Sequence, residues 1–186
     1  MDDPPSVTQI DTRQVYSGRL LKIDVDTVRN PAGQTFELEM VRHPGAAAVV
    51  PLLSDPTGPD PQILLLRQYR HAASGVIWEI PAGVLEPGEV PEDCARRKLR
   101  EETGATADDI RLLTSIYTTP GFTYERIYLY LATGLSVENQ NLEADELIEM
   151  AARPFSTVME MIRDGEIVDG KTIVALLYVA GFVLGH

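Results

Sequence analysis

Apolar and polar positions alternate in places across residues 15–28, with Leu21, Ile23 and Val25 on one face. That period belongs to a half-buried strand. The turn signal Asn30-Pro31-Ala32-Gly33 follows, and residues 36–41 alternate again, so the first 42 residues predict a hairpin or small sheet. Two apolar runs, 46–53 and 63–66, predict buried strands on either side of a Pro-, Gly- and Asp-rich loop at 54–62. Further on, 110–118 and 124–132 read as strands flanking Thr119-Pro120-Gly121-Phe122-Thr123, and 155–164 and 172–185 read as helices. No internal repeat or low-complexity tract interrupts this order. It predicts an α/β fold with mixed strands, organised as an N-terminal β extension (1–42) and a main body (43–186).

A further helix is predicted between Pro91 and Gly104. Proline suits the first turn, where its missing N–H costs nothing. Glu92 and Asp93 place negative charge at the positive end of the helix dipole. Gly104 is free to adopt the left-handed cap that ends it.

Composition narrows the function classes. At 186 residues and 44% hydrophobic, the chain is long and apolar enough for a real core. Its formal charge is −12, from 16 Lys and Arg against 28 Asp and Glu, with no basic stripe. A nucleic-acid duplex is therefore not an expected partner. The single cysteine, Cys94, excludes an internal disulfide and four-cysteine zinc sites, and His43, His71 and His186 show no metal-ligand spacing. The chain opens on an acidic, proline-rich stretch rather than a signal peptide, and its longest apolar run, 173–184, is too short to span a bilayer. The expectation is a cytoplasmic protein.

The candidate chemistry lies in residues 83–105, GVLEPGEVPEDCARRKLREETGA. Residues three and four apart share a helix face, so Lys98, Glu101 and Glu102 cluster and Arg97 reaches Glu101. Neighbouring carboxylates repel unless a cation joins them. Hard oxygen donors suit Mg²⁺ or Mn²⁺, and Mg²⁺ commonly bridges carboxylates to substrate phosphates. In so acidic a chain an anionic substrate would need such a metal and a few placed arginines.

The spacing of Gly83, Glu89, Arg97, Glu101, Glu102 and Gly104 resembles the signature of the Nudix hydrolases. One position departs from it: Lys98 stands where the family carries a glutamate. The flanks resemble the ADP-ribose pyrophosphatase branch. They are Glu79-Ile80-Pro81-Ala82-Gly83 before the box, Arg67-Gln68-Tyr69-Arg70 upstream, Pro120 fifteen residues beyond Ala105, and the tail around Asp164-Gly165-Glu166 and Lys171-Thr172. The resemblance spans roughly residues 15–184. It implies a Nudix α/β/α sandwich with a mixed sheet, and Mg²⁺-dependent hydrolysis of ADP-ribose to AMP and ribose 5-phosphate. Two alternatives stay open: another nucleoside-diphosphate sugar or dinucleotide as substrate, or a catalytically silent ADP-ribose-binding module.

Roles follow from the resemblance residue by residue. The Ala82 carbonyl, Glu101 and Glu102 would face the metals, with Arg97 orienting Glu101 and Glu89 in support. Gly83 would let backbone approach the diphosphate closely. Glu146 or Glu143, in the acidic segment 141–146, would act as base, and Glu146 also as a further metal ligand. Arg70 would meet a phosphate or ribose, and Glu79 and Glu125 ribose hydroxyls. The N-terminal strands would cross to a partner subunit in a homodimer, bringing Arg19 and Leu20 to the partner's adenosine pocket. Tyr16 and Phe36 can stack on adenine or serve the core, and Trp78 is assigned to packing. Lys98 removes an expected metal ligand, adds an ammonium and should pair with Glu102. Weakened metal binding and a reduced rate are the expected result.

Overall fold

In the computed structural model, residues 6–19, 21–138, 140 and 147–185 are described. They divide into two compact units, one from Met1–Gly45 with Tyr117–Arg126, the other from Ala46–Ile116 with Ile127–His186.

The smaller unit is built on an antiparallel meander of β1 (Thr8–Ser17), β2 (Lys22–Arg29) and β3 (Thr35–Arg42). The alternation at 15–28 is broken between β1 and β2, where Gly18 donates its N–H to the Leu21 carbonyl at 2.8 Å and closes a turn. The Asn30 turn is closed by hydrogen bonds with Gln34. Polar residues of β2 are buried as well as apolar ones: Asp24 and Asp26 sit beneath Arg42, which bonds both carboxylates and stacks 4.6 Å over Tyr124. Every residue of β1 is exposed, including Ile10, Val15 and Tyr16.

Among the described residues the larger unit holds two sheets and three α-helices. Its central strand, β4 (Ala46–Pro51), is buried at all six positions, as the continuous apolar run requires of a strand covered on both faces. It pairs in parallel with β9 (Arg126–Val137) and antiparallel with β7 (Ala82–Val84), and β8 (Ala105–Tyr117) lies outside β9. The second sheet has β5 (Gln62–Arg70) between β10 (Ile148–Pro154) and β6 (Gly75–Glu79), all antiparallel. Ser74, in the left-handed region at φ 54°, turns the chain from β5 into β6.

Helix α1 (Pro91–Thr103) covers one face of the central sheet. Its Cys94, Ala95 and Leu99 pack with Ala47, Val49, Tyr130 and Ala132. The opposite face is covered by β5 and by α2 (Phe155–Arg163) and α3 (Gly170–Val179), through Leu65, Phe155, Val158, Leu176 and Val179. This α/β/α layering is the predicted one. Strands β6, β7 and β10 were not predicted. They are short or interrupted by polar residues, and their pairing is set by partners distant in sequence. Among the described residues no helix is long and apolar enough to cross a membrane.

Candidate active site

Three consecutive features place the site. β7 runs along the edge of the central sheet, α1 follows it after a short acidic loop, and α1 then packs back against the same sheet. The helix is framed as the sequence predicts, with Pro91 in its first turn and Gly104 at φ 68° donating its N–H to the Arg100 carbonyl. The buried stripe comprises Cys94, Ala95, Lys98, Leu99, Glu102 and Thr103. An ammonium and a carboxylate thus lie on the face that also packs the core, an arrangement that costs free energy unless the charges are paired.

Lys98 is paired. Its Nζ lies 3.1 Å from Glu101 Oε2 and 3.6 Å from Glu102 Oε1. Its aliphatic stem lies across Gly83, where a Cβ would come within 2.4 Å of the Lys98 Cε and 2.7 Å of its Cγ. The glycine therefore makes room for the lysine itself. Glu102, 3% exposed, also accepts the Ala82 backbone N–H at 3.2 Å, tying α1 to β7.

Arg97 holds the loop side. It bonds Glu89 at 2.8 and 2.9 Å in a two-point pair, Glu101 at 3.3 Å and the Val84 carbonyl at 3.2 Å. The Arg97 hydrogen bonds pull the Glu89 carboxyl down from 4.5 to about 2, assisted by the Glu86 N–H. The same bonds raise Arg97 above the usual arginine value. The pair is thus charged across the working pH range. Cys94 is buried against the Gly83 and Val84 carbonyls, and burial pushes its thiol up to about 11. It is a packing residue in the neutral form.

A second charged cluster lies on the β5–β6 side. Glu79, 3% exposed, accepts from Arg70 Nε at 3.0 Å and Nη2 at 2.7 Å, and from Lys171 Nζ at 3.0 Å. Lys171 also lies 3.0 Å from Asp169. Asp169 caps α3 through the Thr172 N–H, and the Thr172 hydroxyl accepts the Ile80 N–H at 3.0 Å. Burial opposes the charge of Arg70, but its bond to Glu79 and the charges of Glu79, Glu102 and Asp169 outweigh it and raise its pKa. The two clusters are joined by the short run 79–82, which begins at Glu79 and ends at Ala82, whose N–H bonds Glu102. The sequence singled out Lys171-Thr172 only by resemblance and gave no role to Asp169. Lys171 and Glu79 are 92 positions apart, and no local pattern joins them.

The other candidate residues stand elsewhere. Glu125 accepts from the Thr118 hydroxyl at 2.8 Å and lies 3.6 Å from His43, within the smaller unit. Arg19 is exposed on the turn between β1 and β2. Leu20, Glu143 and Glu146 fall outside the described residues. Trp78 lies against Arg67 and Arg153, each guanidinium 5.5 Å from its ring centre, and packs at the edge of the core.

The donor set is one carboxylate short of the one that the resemblance implies for a divalent cation. Of the expected first ligands, the Ala82 carbonyl, Glu101 and Glu102 remain, but the Lys98 ammonium sits between the two carboxylates. Among the described residues no three acidic, histidine or cysteine side chains gather to hold a metal.

The NUDIX domain model matches residues 42–176. A methanol dehydrogenase activator of Bacillus methanolicus is 40% identical over 171 residues, covering 91% of this chain and 90% of its own. An ADP-ribose pyrophosphatase of Bacillus subtilis (strain 168) is 37% identical over 167 residues, with coverage of 89% and 88%. A crystal structure of an ADP compounds hydrolase superposes with a TM-score of 0.83 over 100% of this chain and 98% of that one, at 20% identity, which bears on the fold. With its box on the helix that packs the central sheet and the family model covering most of its length, the chain belongs to the Nudix family of hydrolases.

Proposed function

We propose that this chain hydrolyses a nucleoside diphosphate linked to a second group, with ADP-ribose as substrate and AMP and ribose 5-phosphate as products. The observation that carries the reading is the charged box and its flank: Gly83 beside Lys98, Glu101 and Glu102, with the Arg70–Glu79–Lys171 cluster at the start of the short run that ends on the Ala82–Glu102 bond. The 37% identical ADP-ribose pyrophosphatase supports the same substrate.

In this reading the space at Gly83, which the resemblance gives to the approaching diphosphate, seats the Lys98 stem and so brings the ammonium to that place. Arg70 offers the Nη1 edge that its pairing with Glu79 leaves over, and guanidinium suits paired phosphate oxygens. Arg97 holds Glu101 in place. Glu143 or Glu146 takes the proton of the attacking water, and one P–O bond of the bridge breaks as AMP leaves. Arg19, Leu20 and Glu125 would contact the adenosine or ribose ends in a homodimer, where a second copy pairs with the exposed strands of the smaller unit. Nudix hydrolases work with divalent metals. We assign Mg²⁺ to this one, weakly held because Lys98 replaces a ligand, and we place the reaction in the cytoplasm.

The test is AMP release from ADP-ribose with Mg²⁺ and with Mn²⁺, comparing this chain with Lys98→Glu. The glutamate variant should be faster by about a hundredfold, the range seen when a charged group at a reacting centre is restored. Equal rates would overturn the role given to position 98. A second reading, a silent ADP-ribose-binding module, draws on the ammonium lodged between Glu101 and Glu102. ADP-ribose binding without turnover in both proteins would favour it.

A further inference from the structure

We infer that the Lys98 ammonium serves as the counter-charge of the diphosphate site in place of one divalent cation, so that a nucleoside diphosphate binds this chain with no metal present. The inference rests on the substrate class proposed above and concerns binding, not turnover.

The lysine is built into the site rather than draped over it. It is 8% exposed, its stem fills the space that Gly83 leaves open, and its ammonium reaches both box carboxylates. A solvent-facing lysine would hold neither position. Charge supplies the second argument. Among the described residues the paired groups of the two clusters include six carboxylates, Glu79, Glu86, Glu89, Glu101, Glu102 and Asp169, and four cations, Arg70, Arg97, Lys98 and Lys171. Their formal sum is −2, and with glutamate at position 98 the same set would carry −4. The difference equals the charge of one divalent cation. A diphosphate entering the glutamate version meets strong repulsion until metal arrives, whereas here the polypeptide has already halved the negative charge it meets. A divalent cation approaching Glu101 and Glu102 meets the ammonium in turn, so added metal should contribute little to affinity.

Calorimetric titration of the full chain with ADP-ribose and, separately, with ADP, each in EDTA and in Mg²⁺, tests this. Kd for this chain should change by less than about threefold between EDTA and Mg²⁺, while Lys98→Glu should bind at least about tenfold more weakly in EDTA and recover in Mg²⁺. Lys98→Gln, which keeps length without charge, should lose metal-free affinity without gaining a metal requirement as strong as that of the glutamate variant. Gly83→Ala, which pushes the lysine stem off its seat, should weaken metal-free binding in the otherwise unchanged chain. Melting curves confirm that each variant is folded, and should Lys98→Glu fail to fold, the glutamine variant decides the matter. The inference is overturned if this chain needs Mg²⁺ as much as Lys98→Glu does, or if the glutamate or glutamine variant binds equally well in EDTA. Metal-free binding of ADP with no binding of ADP-ribose would sink the substrate reading and leave the inference standing. No binding of either ligand, with or without metal, would sink both.

Discussion

The two charged clusters of the site are made in opposite ways. On the box side Lys98, Glu101 and Glu102 lie within five residues of one helix, and their spacing alone brings them together. On the other side Arg70 comes from β5, Glu79 from β6, and Lys171 and Asp169 from the start of α3. The first cluster forms whenever α1 forms. The second exists only when three elements have docked, and it welds the strand leading into the box to the helix that packs behind it, with the Ile80–Thr172 bond as the weld's neutral partner. A local cluster can change its chemistry by one substitution without disturbing the fold. A cluster assembled from distant segments carries fold and function together.

That contrast can be broken by experiment. The largest effect is expected for Arg70→Ala, which removes the guanidinium proposed to meet the phosphate and leaves Glu79 to Lys171. KM for ADP-ribose should rise by roughly tenfold or more with a smaller change in kcat. A change confined to kcat would mean that Arg70 acts on the reaction rather than on binding. Next comes Lys171→Met, which keeps the Arg70–Glu79 pair but removes the second cation from the Glu79 carboxylate. It should raise KM by about threefold, and Lys171→Arg should restore it. In a double-mutant cycle Arg70 and Lys171 should couple by about 1 kcal/mol, as members of one network do. Additive effects would show the second cluster to be two separate pairs.

The smallest effect sharpens the comparison from the box side. Glu89 titrates at about 2 in the folded chain against an ordinary 4.5. A depressed carboxyl contributes stability that is complete above its unfolded value and lost as pH falls toward its folded one. Glu89→Gln should therefore flatten the decline of unfolding free energy between about pH 4.5 and 2 without shifting the neutral rate greatly. Urea unfolding at a series of pH values reads this directly. An unchanged acid limb would place the acid sensitivity in another carboxylate.

The same contrast explains what was legible in the sequence. Helix α1 was readable from Pro91 to Gly104 because both of its stops are local, and β4 because an unbroken apolar run announces burial. The Arg97–Glu101 contact followed from one helical turn. The nearer partner of Lys98 proved to be Glu101, three residues on, at 3.1 Å, ahead of Glu102, the partner helical spacing suggested. The two-point Arg97–Glu89 pair needed the loop to fold back, and Lys171–Glu79 needed tertiary docking, so neither could be read from local spacing. In strand β1 only the last residues, 15–17, fall in the alternating stretch that the sequence singled out, and all ten of its residues are exposed in the single chain.

Cys94 has a practical consequence. It is the only thiol in the chain, sealed between α1 and the Gly83–Val84 carbonyls and held neutral up to about 11. A thiol-directed dye can reach it only when the helix lifts from the sheet. The labelling rate of the unaltered protein is then a clock for that excursion, and a cysteine introduced on the surface would take up dye long before the native one does.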